Sequence, residues 1–256
     1  MILREKSGVP YLQFPNLSSL PSIHHGIFTR EGGSSKAPYS SLNISYNVGD
    51  QKDCVIRNRR IIYACMDEAQ LVFAEQVHGC DILLLEDDPQ LIQGALCAPR
   101  NGDAIVTQTR GKNLVLQVAD CQPVLMYDPI RQVVANVHCG WRGSIQDIVG
   151  RTINVMKIRF GSDPRNIIAG VGPSLGPCCA EFINYQKEIP RLYWKYIDHS
   201  VFFDFWAITR DQMIETGVLA SNIYISRICT KCNTGRFFSY RKEKETGRFA
   251  AVIGLI

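Results

Sequence analysis

The chain has 256 residues, 46% hydrophobic and 20% charged, with a formal charge of +4. That balance places it among ordinary globular proteins, and with Lys and Arg scattered between acidic residues it excludes the basic stripe of a nucleic-acid binder. No Ser/Gly-rich or Pro-rich linker divides the sequence, so residues 1–256 read as one domain. The start, MILREKSGVPYLQF, lacks the apolar run and cleavage site of a secretory leader, and no apolar stretch approaches the roughly 20 residues of a membrane-spanning helix. A cytoplasmic protein without membrane contact is therefore expected. Its ten cysteines are then expected to stay reduced, as small hydrophobes, ligands or nucleophiles.

Residues Ile23 to Asn47 mix short apolar runs with Gly, Ser, Pro and Asn, the signature of strand, turn and irregular loop. Asp50 to Met66 carries apolar residues at helical spacing and predicts an amphipathic helix whose arginines, Arg59 and Arg60 among them, face water. Leu71 to Glu86 predicts two strands flanking a bend at His78 and Gly79. Short apolar runs at Asp103–Thr107, Leu114–Ala119, Val124–Tyr127 and Val133–Val137 predict buried strands and a sheet-rich centre. Trp141 to Phe160 predicts one long helix, closed by Gly161 and Pro164. Beyond it, Ile167–Val171 reads as a strand entering the turn GVGPSLGPCC. Helices over Gln186–Ile197 and Phe205–Thr216 and strands over Ile223–Ser226 and Phe249–Ile253 follow. The cluster of Arg241, Lys242 and Lys244 reads first as a solvated face. Helices and strands are intermixed without strict alternation, which predicts an α+β, mixed α/β sandwich.

Three segments place polar groups at the ends of apolar runs: Glu-Gln-Val-His-Gly at 75–79, Ala-Asp-Cys at 119–121 and Val-His-Cys-Gly-Trp-Arg-Gly at 137–143. Strand ends can converge on a cleft even when far apart in sequence. Their imidazole and thiol groups, His78, Cys121 and His138, form the three-ligand set of a catalytic zinc with its fourth position open. Spacing alone leaves a second reading standing, two satisfied core histidines and a buried cysteine. Asp120 is a candidate proton shuttle, although strand alternation turns it away from its neighbour Cys121, and Glu75 is a weaker one. Arg142 and the amides around Gly143 form a candidate phosphate site at the start of the long helix, against the alternative of an Arg stacked on Trp141.

Read together, HGIFTREGG, SLN, EQVHG, GDAIVT, ADCQPVLMYD, ANVHCGWRG, GVGPSLGPCC, CT, FFSYR and TGR resemble the multicopper polyphenol oxidase, or laccase-domain, family, whose members are also called purine nucleoside phosphorylases or peptidoglycan-editing factors. The blocks run from about His25 to Ile253 in the family's order. The resemblance implies a laccase-domain fold of the CNF-like cysteine hydrolase type. It also implies a mononuclear zinc on His78, Cys121 and His138, phosphorolysis of adenosine, inosine, guanosine and methylthioadenosine, and deamination of adenosine. Purine nucleosides and inorganic phosphate are the partners it implies, with monomer and homodimer both open. Arg30, Asn43 and Arg241 match family blocks and are carried over as substrate contacts. The chain departs from the family at Cys139, where a small Ala is common, and Cys139 would then sit beside the metal.

Five histidines, with His24, His25 and His199 outside the metal blocks, are too few for a multicopper cluster, although the ligand set alone also admits a single Cu2+. Three alternatives to a zinc-dependent phosphorylase stand: a cysteine hydrolase or amidase with Cys121 as nucleophile, a metal-binding editor of peptidoglycan precursors, and a copper-dependent polyphenol oxidase. Cys178 and Cys179 with Cys229 and Cys232 raise a separate question, a four-thiolate metal site against buried free thiols.

Overall fold

The computed structural model describes residues 1–85, 101–198 and 200–256; Glu86, the expected end of the strand after His78, and His199 lie outside them. Two six-stranded sheets form the frame. The first runs β1 (Ile2–Lys6), β2 (Val9–Gln13), β3 (Ile23–Phe28), β12 (Phe249–Leu255), β7 (Lys112–Val118), β4 (Gln70–Phe73). The second runs β11 (Ile223–Ile225), β10 (Ile168–Val171), β8 (Gln122–Asp128), β9 (Val133–Cys139), β6 (Ala104–Thr107), β5 (Ile82–Leu85). Three pairs, β4 with β7, β5 with β6 and β10 with β11, are parallel, and the rest are antiparallel.

Alternation of side chains along each strand decides what lies where. Ile27, Leu114, Val118, Ala251 and Ile253 of the first sheet meet Ile105, Leu125, Tyr127 and Val134 of the second in one core between the sheets. The opposite face of the second sheet, with Val124, Met126, Ala135, Val137 and Cys139, is covered by helix α3 (Ile148–Phe160). Helix α1 (Lys52–Cys65) covers the outer face of the first sheet through Ile62 and Cys65. Strands covered on both faces read as unbroken apolar runs, which is why β8 and β9 are buried along their whole length. Asn136 sits in this buried layer and bonds the two sheets together, its amide donating to the carbonyls of Leu114 at 3.0 Å and Ala251 at 2.8 Å.

The expected α+β sandwich is present, with local differences. The predicted helix Trp141–Phe160 is two helices, α2 (Trp141–Ile145) and α3, because Asp147 takes a left-handed conformation at φ 57° and caps α3 by accepting from the Gly150 amide. Pro190 divides the predicted helix Gln186–Ile197 into the single turn α4 (Tyr185–Glu188) and a 3-10 segment, Arg191–Tyr196. Helix α5 (Phe205–Glu215) falls where expected. Val9–Gln13 returns on Ile2–Lys6 as a hairpin the apolar pattern did not announce. None of the described helices is long and apolar enough to cross a membrane.

Candidate active site

The three polar segments meet at one end of the central strands β8 and β9. In the β8–β9 register Pro123 faces His138, so Cys121, one residue before β8 begins, lies beside the end of β9. Asp103, just before β6, is tied to the same place because the His138 amide donates to its carbonyl at 2.6 Å. The loop between β4 and β5 brings His78 in from the other side. The candidate ligand atoms of His78, Cys121 and His138 all lie within 4.8 Å of one another, and Cys121 Sγ is 3.9 Å from His78 Nδ1.

One carboxylate organises both histidines. Asp103 is fully buried, and its Oδ1 accepts from His138 Nδ1 at 2.7 Å and from the His78 amide at 3.0 Å. Its Oδ2 accepts from the Gly79 amide at 2.7 Å and the Val77 amide at 3.3 Å. These bonds hold His78 in a left-handed conformation, φ 59°, that a non-glycine residue adopts only under local constraint. They also commit His138 Nδ1 to the carboxylate, leaving Nε2 as its ligand nitrogen. Gly140 completes the approach without any demand on φ: a Cβ there would stand 2.8 Å from His78 Nδ1 and 3.5 Å from Cys121 Sγ.

The electrostatics follow from this geometry. Burial acts to raise the Cys121 thiol, yet the adjacent His138 and His78 bring it down to about 6. Burial acts to lower His138, yet the Cys121 sulfur and the Asp103 carboxylate raise it to about 9. At neutral pH the pair is a thiolate beside an imidazolium, and a divalent cation at the same point would replace that proton. Two nitrogens and one sulfur of borderline softness, with one side open to a cleft, fit a zinc-type ion. His25 takes no part: it is buried, accepts from the Phe14 amide at 2.9 Å, and burial lowers it to about 4. His24 bonds Asn113 at 2.7 Å, so neither histidine adds to a larger metal cluster.

The other expected residues divide. Arg241 and Arg142 line the cleft with Trp141, Phe182 and Tyr240. Arg142 stacks over Trp141 at 4.3 Å, and α2 is a five-residue turn, so the anion site expected at a long helix start is not formed. Arg241 donates to the Glu181 carbonyl at 3.0 Å and lies 5.6 Å from the Phe182 ring centre. Asp120 is turned away from the cluster at φ 89°, its oxygens accepting from Thr230 Oγ1 at 2.6 Å, Ser239 Oγ at 2.7 Å and the Arg241 amide at 2.6 Å. It latches the wall of the site and is not placed as a proton shuttle. Glu75 is exposed on the cleft rim.

Arg30 and Asn43 are kept from the cleft by structural bonds. Arg30 donates to the carbonyls of Ser40 and Thr234 and to Glu243, each at 2.8 Å, and lies over Phe238. Asn43 is fully buried, its amide donating to Asp50 at 2.9 Å and its carbonyl accepting from the Arg248 amide at 2.9 Å. Cys139 points to the helix layer, opposite His138, where it contacts Ser144 at 3.3 Å and burial raises it to about 12. Arg59, expected on a solvated face, lies between Tyr46 at 4.2 Å and Phe73 at 3.9 Å and lines the cleft. Two contributors were missed. Asp103 is the second residue of the GDAIVT block, and a carboxylate just ahead of an apolar strand was its signal. Arg248, in the TGR block, lines the cleft close to Cys121, which together with Asp120 offsets part of the lowering that burial imposes on its guanidinium.

Two facing mixed sheets with a histidine–cysteine cluster at the edge of an arginine- and aromatic-lined cleft define an α+β domain of metal-binding type. The family described as multi-copper polyphenol oxidoreductase laccase matches residues 24–256, and the chain belongs to it. Among its relatives, purine nucleoside phosphorylase YlmD of Geobacillus stearothermophilus is 33% identical over 90% of this chain and 89% of its own. Purine nucleoside phosphorylase YfiH of Escherichia coli is 34% identical over 89% of this chain and 92% of its own. The crystal structures of the Bacillus licheniformis hypothetical protein YfiH and of Geobacillus stearothermophilus YlmD superpose with TM-scores of 0.86 and 0.85, at 28% and 29% identity. The first match covers 99% of both chains, and the second 99% of this chain and 98% of the other.

Proposed function

We propose that this chain, acting as one domain over residues 1–256, is a zinc-dependent purine nucleoside phosphorylase that also deaminates adenosine. The observation that carries the reading is the convergence of His78, Cys121 and His138 at the edge of a cleft that also presents Arg241 and Arg248. Adenosine, inosine, guanosine and methylthioadenosine are the proposed nucleosides; the names of the relatives support the purine nucleoside class. Phosphorolysis needs cations for a phosphate dianion and a polar environment for a ribose that gains positive charge. Arg241 and Arg248 supply the first, and the aromatic side chains of Phe182 and Tyr240 along the cleft offer apolar surface to the purine. A zinc ion, when bound, supplies Lewis-acid polarisation at an open fourth position. Asp103 fixes the His138 ring so that Nε2 faces the cluster. For deamination, Glu75 replaces Asp120 as the candidate proton carrier, because the Asp120 oxygens are committed to Thr230, Ser239 and Arg241.

The test is purified protein assayed for zinc and incubated with adenosine with and without phosphate, following adenine and inosine by chromatography. Zinc at His78, Cys121 and His138 with phosphate-dependent adenine release supports phosphorolysis, and phosphate-independent inosine supports deamination. Zinc without turnover of any of the four nucleosides rejects the proposal.

A second reading rests on one observation: Cys121, His138 and Asp103 also stand in the order nucleophile, base, orienting carboxylate. A cysteine hydrolase is the outcome if the protein as purified carries no metal there and Cys121 alkylates rapidly at neutral pH.

A further inference from the structure

Behind the wall of the cleft, the turn after β10 and the segment after β11 bring four sulfurs together. The Sγ atoms of Cys178, Cys179, Cys229 and Cys232 all lie within 4.8 Å of one another. Cys232 Sγ is 3.7 Å from Cys178 Sγ and 3.6 Å from Cys179 Sγ. A disulfide would hold two of them about 2.05 Å apart. Four thiolates around one zinc, each about 2.3 Å from it, lie about 3.8 Å from one another along the edges of a tetrahedron. The two separations from Cys232 match that edge, and the remaining ones stay within 4.8 Å.

We propose that Cys178, Cys179, Cys229 and Cys232 bind a second, structural ion of the zinc class, in a closed four-thiolate site distinct from the His78, Cys121, His138 cluster. The adjacent pair in the sequence GPCC is accommodated by a tight turn, in which the amides of Cys179 and Ala180 both donate to the Gly176 carbonyl, at 2.9 and 3.0 Å. Gly176 itself is held close to the cluster, since a Cβ there would stand 3.1 Å from Cys229 Cβ and 2.7 Å from the Trp206 ring. Cys229 enters from a short bridge, where the Ser174 amide donates to the Ile228 carbonyl at 3.1 Å and the Thr230 amide to the Ser174 carbonyl at 3.0 Å. The frame is therefore built from both sides before any ion enters.

A divalent cation at the centre of the four sulfurs would take the place of their protons, each thiol losing its proton as its sulfur coordinates. Two ligands are buried and two exposed, which gives an ion entry from solvent. The ion would fasten the two segments just behind the active-site wall: Thr230, next to Cys229, donates to Asp120, and the Leu175 amide donates to the Asp120 carbonyl at 2.8 Å.

The test uses full-length protein purified under reducing conditions. Elemental analysis is expected to find about two zinc ions per chain, falling to about one in Cys232→Ser and to about one in His138→Ala. Metal-stripped His138→Ala protein reloaded with Co2+ is expected to show intense thiolate-to-cobalt charge transfer and tetrahedral bands, lost in the further variant Cys232→Ser. Cys178→Ser, at an exposed position, serves the same purpose if Cys232→Ser does not fold. Zinc that disappears entirely with His138→Ala overturns the proposal. So does an intact mass lowered by the hydrogens lost to a disulfide among these cysteines. Neither result depends on nucleoside turnover, so the proposed activity can fail while this site stands, or the reverse.

Discussion

The two candidate ligand clusters of this molecule use different means to gather their side chains. His78, Cys121 and His138 come from a loop and two strand ends and are held by a buried carboxylate, with one side open to a cleft lined by arginines and aromatic rings. Cys178, Cys179, Cys229 and Cys232 come from two tight turns with no carboxylate among them, and their four sulfurs close on one another. Three ligands with an opening leave room for a reacting molecule, while four leave none. The number of ligands and the means of holding them therefore separate a site suited to chemistry from one suited to fastening.

The largest expected effect separates the clusters outright. Ala at His78, Cys121 or His138 is expected to reduce nucleoside turnover on the order of 10³-fold or more and to remove the triad metal, with the fold and the four-thiolate metal retained. Parallel metal analysis and activity assays check it. Asp103→Asn tests the carboxylate as organiser: an amide cannot accept from the His138 ring and three backbone amides as a carboxylate does. Its expected cost is about 10- to 100-fold in triad metal affinity or turnover, with no change at the cysteine cluster, as read by competitive chelation. Gly140→Ala is expected to act on the triad alone, lowering its metal affinity about 10-fold, because the new methyl reaches His78 Nδ1.

The smallest effect is in pH. In metal-stripped protein, Cys121 is expected to alkylate with a midpoint near its value of about 6, whereas Cys179, raised to about 11, stays slow at neutral pH. Mass mapping of labelled cysteines across pH reads that difference. Stability of the stripped protein carries the same signature. Cys121 is depressed from 9.0 to about 6, so its contribution is full above its unfolded value and is lost as pH falls through 6. His138 is raised from 6.5 to about 9, so its contribution is full below its unfolded value and is lost as pH rises through 9. The two contributions offset one another between about pH 6.5 and 9, so melting temperature should change little across that window, and a steep change there would contradict the thiolate–imidazolium pair.

Strands were legible where burial on both faces left continuous apolar runs, as in β8 and β9, and the three strand ends that meet at the triad were marked by polar residues closing those runs. Arg30 and Asn43 were misplaced for a physical reason. A guanidinium or amide that satisfies backbone carbonyls around an irregular loop has the same sequence appearance as one that meets substrate, and only its partners tell the two apart. Asp120 and Cys139 turned on local geometry. Strand alternation sends Cys139 away from His138, while the left-handed turn at Asp120 carries its carboxylate to Thr230 and Ser239. Asp103 was hidden because its bonds run to backbone amides 24 to 26 residues away, a relation that no short motif records.

Strand β12 lies between β3 and β7 at the centre of the first sheet, although its residues follow those of every other described strand. While the ribosome is still adding residues 249–255, β3 and β7 have an empty slot between them and expose unpaired edges. The second sheet has all its strands by Ile225. Synthesis therefore supplies the described strands of the second sheet before it completes the first, and until residues 249–255 are in place β3 and β7 are open to intermolecular strand pairing.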